Sequence, residues 1–369
     1  MQPLPPDLVP SDGRFGCGPA LVRREQANHV AASWQSILGT SHRQAPVRGL
    51  VQRVREGFAE FLRAPDGYEI VLGNGGSTAF WDAAAFGLIE TRAQMAVFGE
   101  FGGKFARAAS APWLQAPDVR EVPAGQTVAC EEAAGIDVYA YPQNETSTGA
   151  ALAVSRVGAS PALTVVDATS AAGGMRVDLS ETDAYYFAGQ KNFGADGGIW
   201  WAALSPAAIE RIERISASGR YIPEFLSLKT AIDNSRKEQT LNTPALSTLL
   251  LLDAQLEWLN DNGGMEWAAA RTETSSGAIY EWAERSDYAT PFVRDAADRS
   301  PVVATIDLDE RIDARAVSAA LRENGIVDTE PYRKLGRNQL RIATFVNIEP
   351  EDARTLTRAI DWIVERLER

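Results

Sequence analysis

Between Val47 and Arg63 the apolar residues Leu50, Val51, Val54, Phe58, Phe61 and Leu62 recur at helical spacing, and Pro65-Asp66-Gly67 then breaks the pattern. An amphipathic helix and its stop are expected there. The following stretch, YEIVLGNGGSTAFWDAAAFGLI, reads as a short apolar strand, a glycine-rich turn and an Ala-rich helix starting near Thr78. Similar apolar strands recur in QMAVFG, DVYAYP and ALTVVDA, each followed by polar or small residues. That repetition predicts a mostly parallel sheet whose strands end at one crevice, where ligands bind in α/β folds. A long helix over PALSTLLLLDAQLEWLNDNGG stops at Asn262-Gly263. Beyond it the texture changes to strand VVATIDL, helix DARAVSAALRENG, strand QLRIAT and a final helix from about Glu351. The expected organisation is a large domain over 1–265, amino-terminal arm included, and a smaller α+β domain over 266–369.

Composition narrows the class. The chain has 369 residues, 45% of them hydrophobic and 23% charged, which suits two globular domains. No run of about 18 apolar residues is present, so a soluble protein with no membrane partner is expected. The opening MQPLPPDLVPSDGRFGCGPA lacks the basic start and apolar stretch of a secretory signal. A net charge of −13 argues against nucleic acid as a partner, because that requires phosphate-neutralising Lys and Arg. Cys17 and Cys130 have no metal-ligand spacing, so no metal site and no disulfide framework are expected, and the cytoplasm is the default compartment.

One cation stands out. In AYYFAGQKNFGADGGIWW, Lys191 sits among aromatic and small residues. A lysine amine becomes a useful nucleophile only when burial or nearby positive charge lowers its pKa, and Tyr186, Phe187 and Phe193 are placed to do so. The alternative is a lysine whose stem lies on apolar surface with its head in water. Asp167 ends the apolar strand of ALTVVDA, at the edge facing the crevice, though a strand-end Asp also serves as a cap or turn residue. Together, a lysine to hold an aldehyde and an acid to keep a pyridine nitrogen protonated are what pyridoxal phosphate chemistry needs. The GNGGST turn, Gly73 to Thr78, presents free backbone N–H groups at a helix start, with the hydroxyls of Ser77 and Thr78, and can hold a phosphate. It matches neither the nucleotide P-loop nor the dinucleotide glycine pattern, and a tight chain reversal would also use such glycines.

Taken in order, TSHR, NGGST, QNETSTG, VVDATSAAGG, YYFAGQKNFG and NTP resemble phosphoserine aminotransferase, in a form like that of the actinobacterial branch, from about Arg14 to the carboxyl end. The resemblance implies fold type I of the pyridoxal-phosphate transferases. It makes Lys191 the Schiff-base lysine and proton carrier and Asp167 the partner of the pyridine nitrogen. Thr146 would bond the ring hydroxyl oxygen, Thr169 and Gln190 would hold ring and phosphate, and Gly76, Ser77 and Thr78 would cradle the phosphate. Phe101 would stack on the ring, where the family usually has Trp. Asn242 and Thr243 would reach the phosphate of a neighbouring subunit, which implies a homodimer with shared sites.

For the substrates, L-glutamate and 3-phosphohydroxypyruvate in serine biosynthesis, the resemblance assigns Arg341 to the α-carboxylate and His42 and Arg43 to the second anion. Some members of the family also accept a phosphorylated hydroxythreonine. The widespread form has a His-Arg pair shortly before the strand arginine, whereas this chain reads EPYRKLGRNQLR, in which Arg333 and Lys334 supply positive charge near the same place. The rival readings are a serine-pyruvate or alanine-glyoxylate type aminotransferase, a cysteine desulfurase, and a non-catalytic scaffold of the same fold.

Overall fold

The computed structural model describes residues 3–158 and 161–367; the outermost residues of both expected domains lie outside that range. Its larger sheet has seven strands. They are β1 (Glu69–Asn74), β2 (Ala93–Val97), β3 (Asp118–Glu121), β4 (Val138–Pro142), β7 (Leu163–Asp167), β8 (Ala184–Ala188) and β9 (Ile199–Leu204). A two-residue-per-strand hairpin, β5 (Asn144–Glu145) with β6 (Ala150–Ala151), interrupts the series. The spatial order is β1-β9-β8-β7-β4-β2-β3, with β9 antiparallel to both neighbours and every other pairing parallel. The carboxyl ends of β1, β2, β4, β7 and β8 therefore share one edge.

Helices cover both faces. On one side α2 (Ala45–Phe61) and α7 (Leu246–Asp261) pack against Leu72, Val166, Tyr185, Phe187 and Trp201, and α1 (Arg24–Ala32) packs against α7. On the other, α3 (Ser77–Gly87), α4 (Glu100–Ala108), α5 (Pro206–Ala217) and α6 (Leu228–Ser235) meet Val71, Val165, Tyr186 and Trp200. Consecutive strand residues thus feed opposite cores, which is why the central strands are continuous apolar runs rather than alternating ones.

A second sheet, β10 (Ala289–Pro291), β11 (Val303–Leu308) and β12 (Gln339–Ala343), is antiparallel and packs with α9 (Ala314–Glu323) and α10 (Pro350–Leu367). Two features depart from the expected division. The amino-terminal arm joins the second core: Leu4, Phe15, Cys17 and Leu21 are buried there, Phe15 N donates to Val327 O, and Ala343 N donates to Phe15 O. The arm makes one isolated parallel bridge there, Arg14 with Val327, and its apolar side chains follow. The residue-265 boundary also falls at the start of a 22-residue helix, α8 (Gly264–Arg285), whose first turns bury Met265 and Ala268 in the large core. Its last turns bury Ile279, Tyr280 and Trp282 in the small core, so one continuous helix contributes to both cores.

Candidate active site

Five strand ends deliver side chains to one cavity of about 180 Å³, lined by Gly76, Ser77, Thr78, Phe101, Thr146, Asp167, Thr169, Gln190 and Lys191. Nine expected site residues meet there because consecutive parallel crossovers return each strand to the same edge. Trp81, Asn144 and Ser170 complete the wall. None of these three was singled out by the sequence, although each had a local signal. Trp81 is one helical turn beyond Ser77, Asn144 shares a face with Thr146, and Ser170 follows Thr169.

Lys191 Nζ donates to the carbonyl oxygen of Cys17 at 2.6 Å, so the arm forms part of the site. Burial is the first cause that pushes the amine down to about 8, and the Arg341 cation acts in the same direction. Asp167, 7% exposed, accepts from Thr169 N at 2.9 Å and from Trp81 Nε1 at 3.2 Å. Burial raises its pKa, while hydrogen bonds from Thr169, Tyr186 and Trp81 oppose that rise. Thr169 Oγ1 donates to Ser77 Oγ at 2.7 Å, tying the phosphate turn to the β7 end. Thr146 Oγ1 and Asn144 Nδ2 both donate to Ser170 Oγ at 2.8 Å.

The residues fit pyridoxal phosphate. No side chain among the described residues caps the first turn of α3, which begins at Ser77 and leaves N–H groups for an anion. Gln190 Oε1 and Asn144 Oδ1 are buried without a partner at the same cavity. An acid, an amine and an uncapped helix start are arranged around a pocket with an aromatic wall.

The expected substrate residues fall into two groups, and none lines the cavity itself. Arg341, on β12, donates through Nη1 to Thr146 O at 3.3 Å and lies over the Tyr332 ring at 5.3 Å. It therefore stands at the mouth. Arg333 is exposed on a single 3₁₀ turn, Arg333–Leu335, beside Tyr332, whose ring is 6.2 Å from Phe101.

His42 and Arg43 are instead gathered with Asn242 and Thr243. Thr243 Oγ1 is 3.2 Å from His42 Nδ1, and Asn74 Nδ2 donates to the carbonyls of both Asn242 and Thr243. Arg43 Nη1 donates to Gln239 Oε1. Within one chain these four residues form a patch separate from the Lys191 cavity. A larger groove of about 680 Å³ contains Arg63, Arg176 and Arg299, but those cations are already paired with Glu266, Glu273 and Glu284.

A family model described as aminotransferase class-V matches residues 20–329. The chain belongs to that family. It is a pyridoxal-phosphate-dependent aminotransferase of fold type I, acting on small molecules. The chain is 54% identical over 366 residues to the phosphoserine aminotransferase of Rhodococcus jostii, covering 99% of this chain and 98% of the relative. Among solved structures it is similar to a phosphoserine aminotransferase from Cytophaga hutchinsonii, with a TM-score of 0.89 at 20% identity, covering 95% and 99% of the two chains. A pyridoxal-phosphate-bound phosphoserine aminotransferase from Trichomonas vaginalis aligns with a TM-score of 0.81 at 17% identity, covering 95% and 99%. At such identities the structural likeness establishes the fold. No helix among the described residues is long and apolar enough to cross a membrane.

Proposed function

We propose that this aminotransferase exchanges an amino group between L-glutamate and 3-phosphohydroxypyruvate, giving 2-oxoglutarate and O-phospho-L-serine, and so serves serine biosynthesis in the cytoplasm. The observation that carries the reading is the convergence of Lys191, Asp167 and the α3 start on one cavity with Arg341 at its mouth. The relative at 54% identity supports the substrate class.

Bound pyridoxal phosphate supplies an aldehyde that combines with an amine and a protonated ring that takes up electrons from the α-carbon. The chain's own residues do the rest. The Ser77 and Thr78 turn, which lines the cavity with Phe101, would hold the phosphate with helix N–H groups and hydroxyls, and Phe101 would supply a flat wall. Asp167 would keep a proton on the ring nitrogen. Lys191, with its pKa pushed down to about 8, is uncharged in a far larger fraction at neutral pH than an ordinary lysine, so its Nζ would be able to take up the proton of the substrate α-carbon. Arg341 presents a planar guanidinium for bidentate capture of the α-carboxylate.

A second anion, phosphate or side-chain carboxylate, needs further positive charge. His42 and Arg43 lie with Asn242 and Thr243 on one patch, which supports a homodimer in which each protomer offers that patch to its partner's cavity.

An absorbance titration tests the reading. The visible band of the loaded enzyme is expected to fall with L-glutamate and to return with 3-phosphohydroxypyruvate, and to return at least about tenfold less effectively with pyruvate or glyoxylate, which lack the second anion. A band restored equally by pyruvate or glyoxylate overturns the phosphoserine assignment.

A further inference from the structure

Helix α4 begins at Glu100 with Gly99 at its N-cap, a residue with no side chain to satisfy the free N–H groups of the first turn. The missing cap comes from 44 residues away in the sequence: Glu145 Oε2 accepts from Phe101 N and Gly102 N, each at 3.0 Å. These are the second and third helical positions, the two that a local Ser or Asp cap would serve. The other oxygen, Oε1, accepts from Ser147 Oγ at 2.6 Å and Ser147 N at 3.2 Å, and Ser147 Oγ in turn accepts from Glu100 N at 3.1 Å. Three successive N–H groups of α4 are thus held by one two-residue-spaced pair on the β5 hairpin.

Glu145 is fully buried, at 0% exposure. Burial raises its pKa, while the hydrogen bonds from Ser147 and from Gly102 N, at the positive end of α4, oppose that rise. A local cap would give the helix the same stability. What the distant cap adds is registration, because its neighbours in both sequences belong to the site. Phe101, whose N–H it holds, is a cavity wall, and Thr146, the next residue in the sequence, lines the same cavity. Thr146 also offers its carbonyl to Arg341 at the mouth.

We propose that Glu145 is a positioning residue that fixes the Phe101 wall against the Thr146 side of the cofactor cavity, and that Gly99 lacks a Cβ so that the carboxylate can reach α4. A Cβ on Gly99 would lie 2.3 Å from Glu145 Cγ and 2.5 Å from its Cδ. The inference rests on the cavity taking pyridoxal phosphate, and not on the identity of the amino-acid substrates.

The experiment is a double-mutant cycle on cofactor affinity, read by absorbance and by the induced circular dichroism of the visible band when pyridoxal phosphate is titrated into protein freed of it. Glu145→Gln is expected to weaken binding about tenfold and diminish the induced signal, as is Phe101→Ala. The double variant should be no more than about twofold weaker than either single one, because both remove the same wall. Gly99→Ala, which pushes the carboxylate aside from without, should reproduce Glu145→Gln, and Glu145→Asp, one methylene short, should not rescue. Should Glu145→Gln fail to fold, Gly99→Ala paired with Phe101→Ala completes the same cycle. Multiplying effects in the cycle, or unchanged cofactor affinity in folded Glu145→Gln or Gly99→Ala protein, overturn the proposal. Loss of all binding in the unaltered protein would instead remove the cofactor reading beneath it.

Discussion

Asp167 and Tyr186 stand opposite each other in register across β7 and β8, and the indole N–H of Trp81 reaches both, Asp167 Oδ2 at 3.2 Å and Tyr186 Oη at 2.8 Å. The phenol also bonds the carboxylate, and burial with the Asp167 charge pushes Tyr186 well above its ordinary pKa, so it stays a donor throughout the working range. Two neutral donors therefore hold the buried acid of the cavity.

Removing such a donor should make the acid easier to protonate. Burial already raises Asp167, and loss of a hydrogen bond that lowers it leaves that effect less opposed. Trp81→Phe is expected to lower kcat at neutral pH about tenfold, in keeping with the roughly 1.5–3 kcal/mol of a hydrogen bond to a charged group. Its acid limb should move to higher pH. A pH profile of kcat that merely scales down, with no movement of the limb, would assign Trp81 to packing alone.

Lys191 should weaken the cofactor-free protein at neutral pH. Its folded-state value of about 8 is below the ordinary 10.5, so the unfolded chain binds the extra proton and stability rises as pH climbs from 8 to 10.5. The penalty is full below 8. Lys191→Met, which keeps the stem and removes the charge, should melt higher than the unaltered apo-protein at pH 7 by a few degrees. That gain should shrink toward pH 10.5, and differential scanning calorimetry at several pH values reads it directly. A gain that is independent of pH contradicts the buried-amine account.

Gly18 bounds the space in which the Lys191 amine rests. Its φ is +129°, and a Cβ there would lie 2.0 Å from Nζ and 2.6 Å from Cε. Gly18→Ala is expected to slow capture of pyridoxal phosphate by the apo-protein about 10²-fold, since small displacements of a reacting group have effects of that order. Stopped-flow absorbance measures the rate; capture at the unaltered rate would mean that the arm moves aside freely.

Subunit mixing tests the shared site. Lys191→Ala protomers lack the amine but keep the His42 patch, and protomers carrying His42→Ala with Arg43→Ala have the reverse defect. If each cavity is completed by the partner, refolding an equal mixture should recover about a quarter of full activity, because half the dimers are mixed and each has one intact site of two. No recovery above the separate variants would place the patch outside the partner's site.

The sequence by itself determined the central strands and their order of appearance. Val165, Val166, Tyr185, Tyr186 and Phe187 are buried on both faces, so the runs that encode them are apolar throughout and need no tertiary information to be seen. The residues just after those runs were legible for the same reason: Asp167, Thr169, Gln190 and Lys191 follow strands that must end at one edge. Edge strand β3, Asp118–Glu121, escaped because its residues are half-buried or exposed and mostly charged. Helix α8 escaped because it serves two cores in turn and shows no single apolar stripe.

Only the tertiary structure decided which distant pieces complete the site. The arm around Phe15 hydrogen-bonds the backbone of the small domain at Val327 and Ala343, and the Cys17 carbonyl meets Lys191. Thr243 meets His42 across 201 residues of sequence, and Glu145 caps a helix that begins 45 residues earlier. Local periodicity records which face of an element is buried. It does not record which unpaired N–H or carbonyl from elsewhere will be brought against that face, because such partners are chosen by strand order, crossover and close approach at residues as small as Gly18 and Gly99.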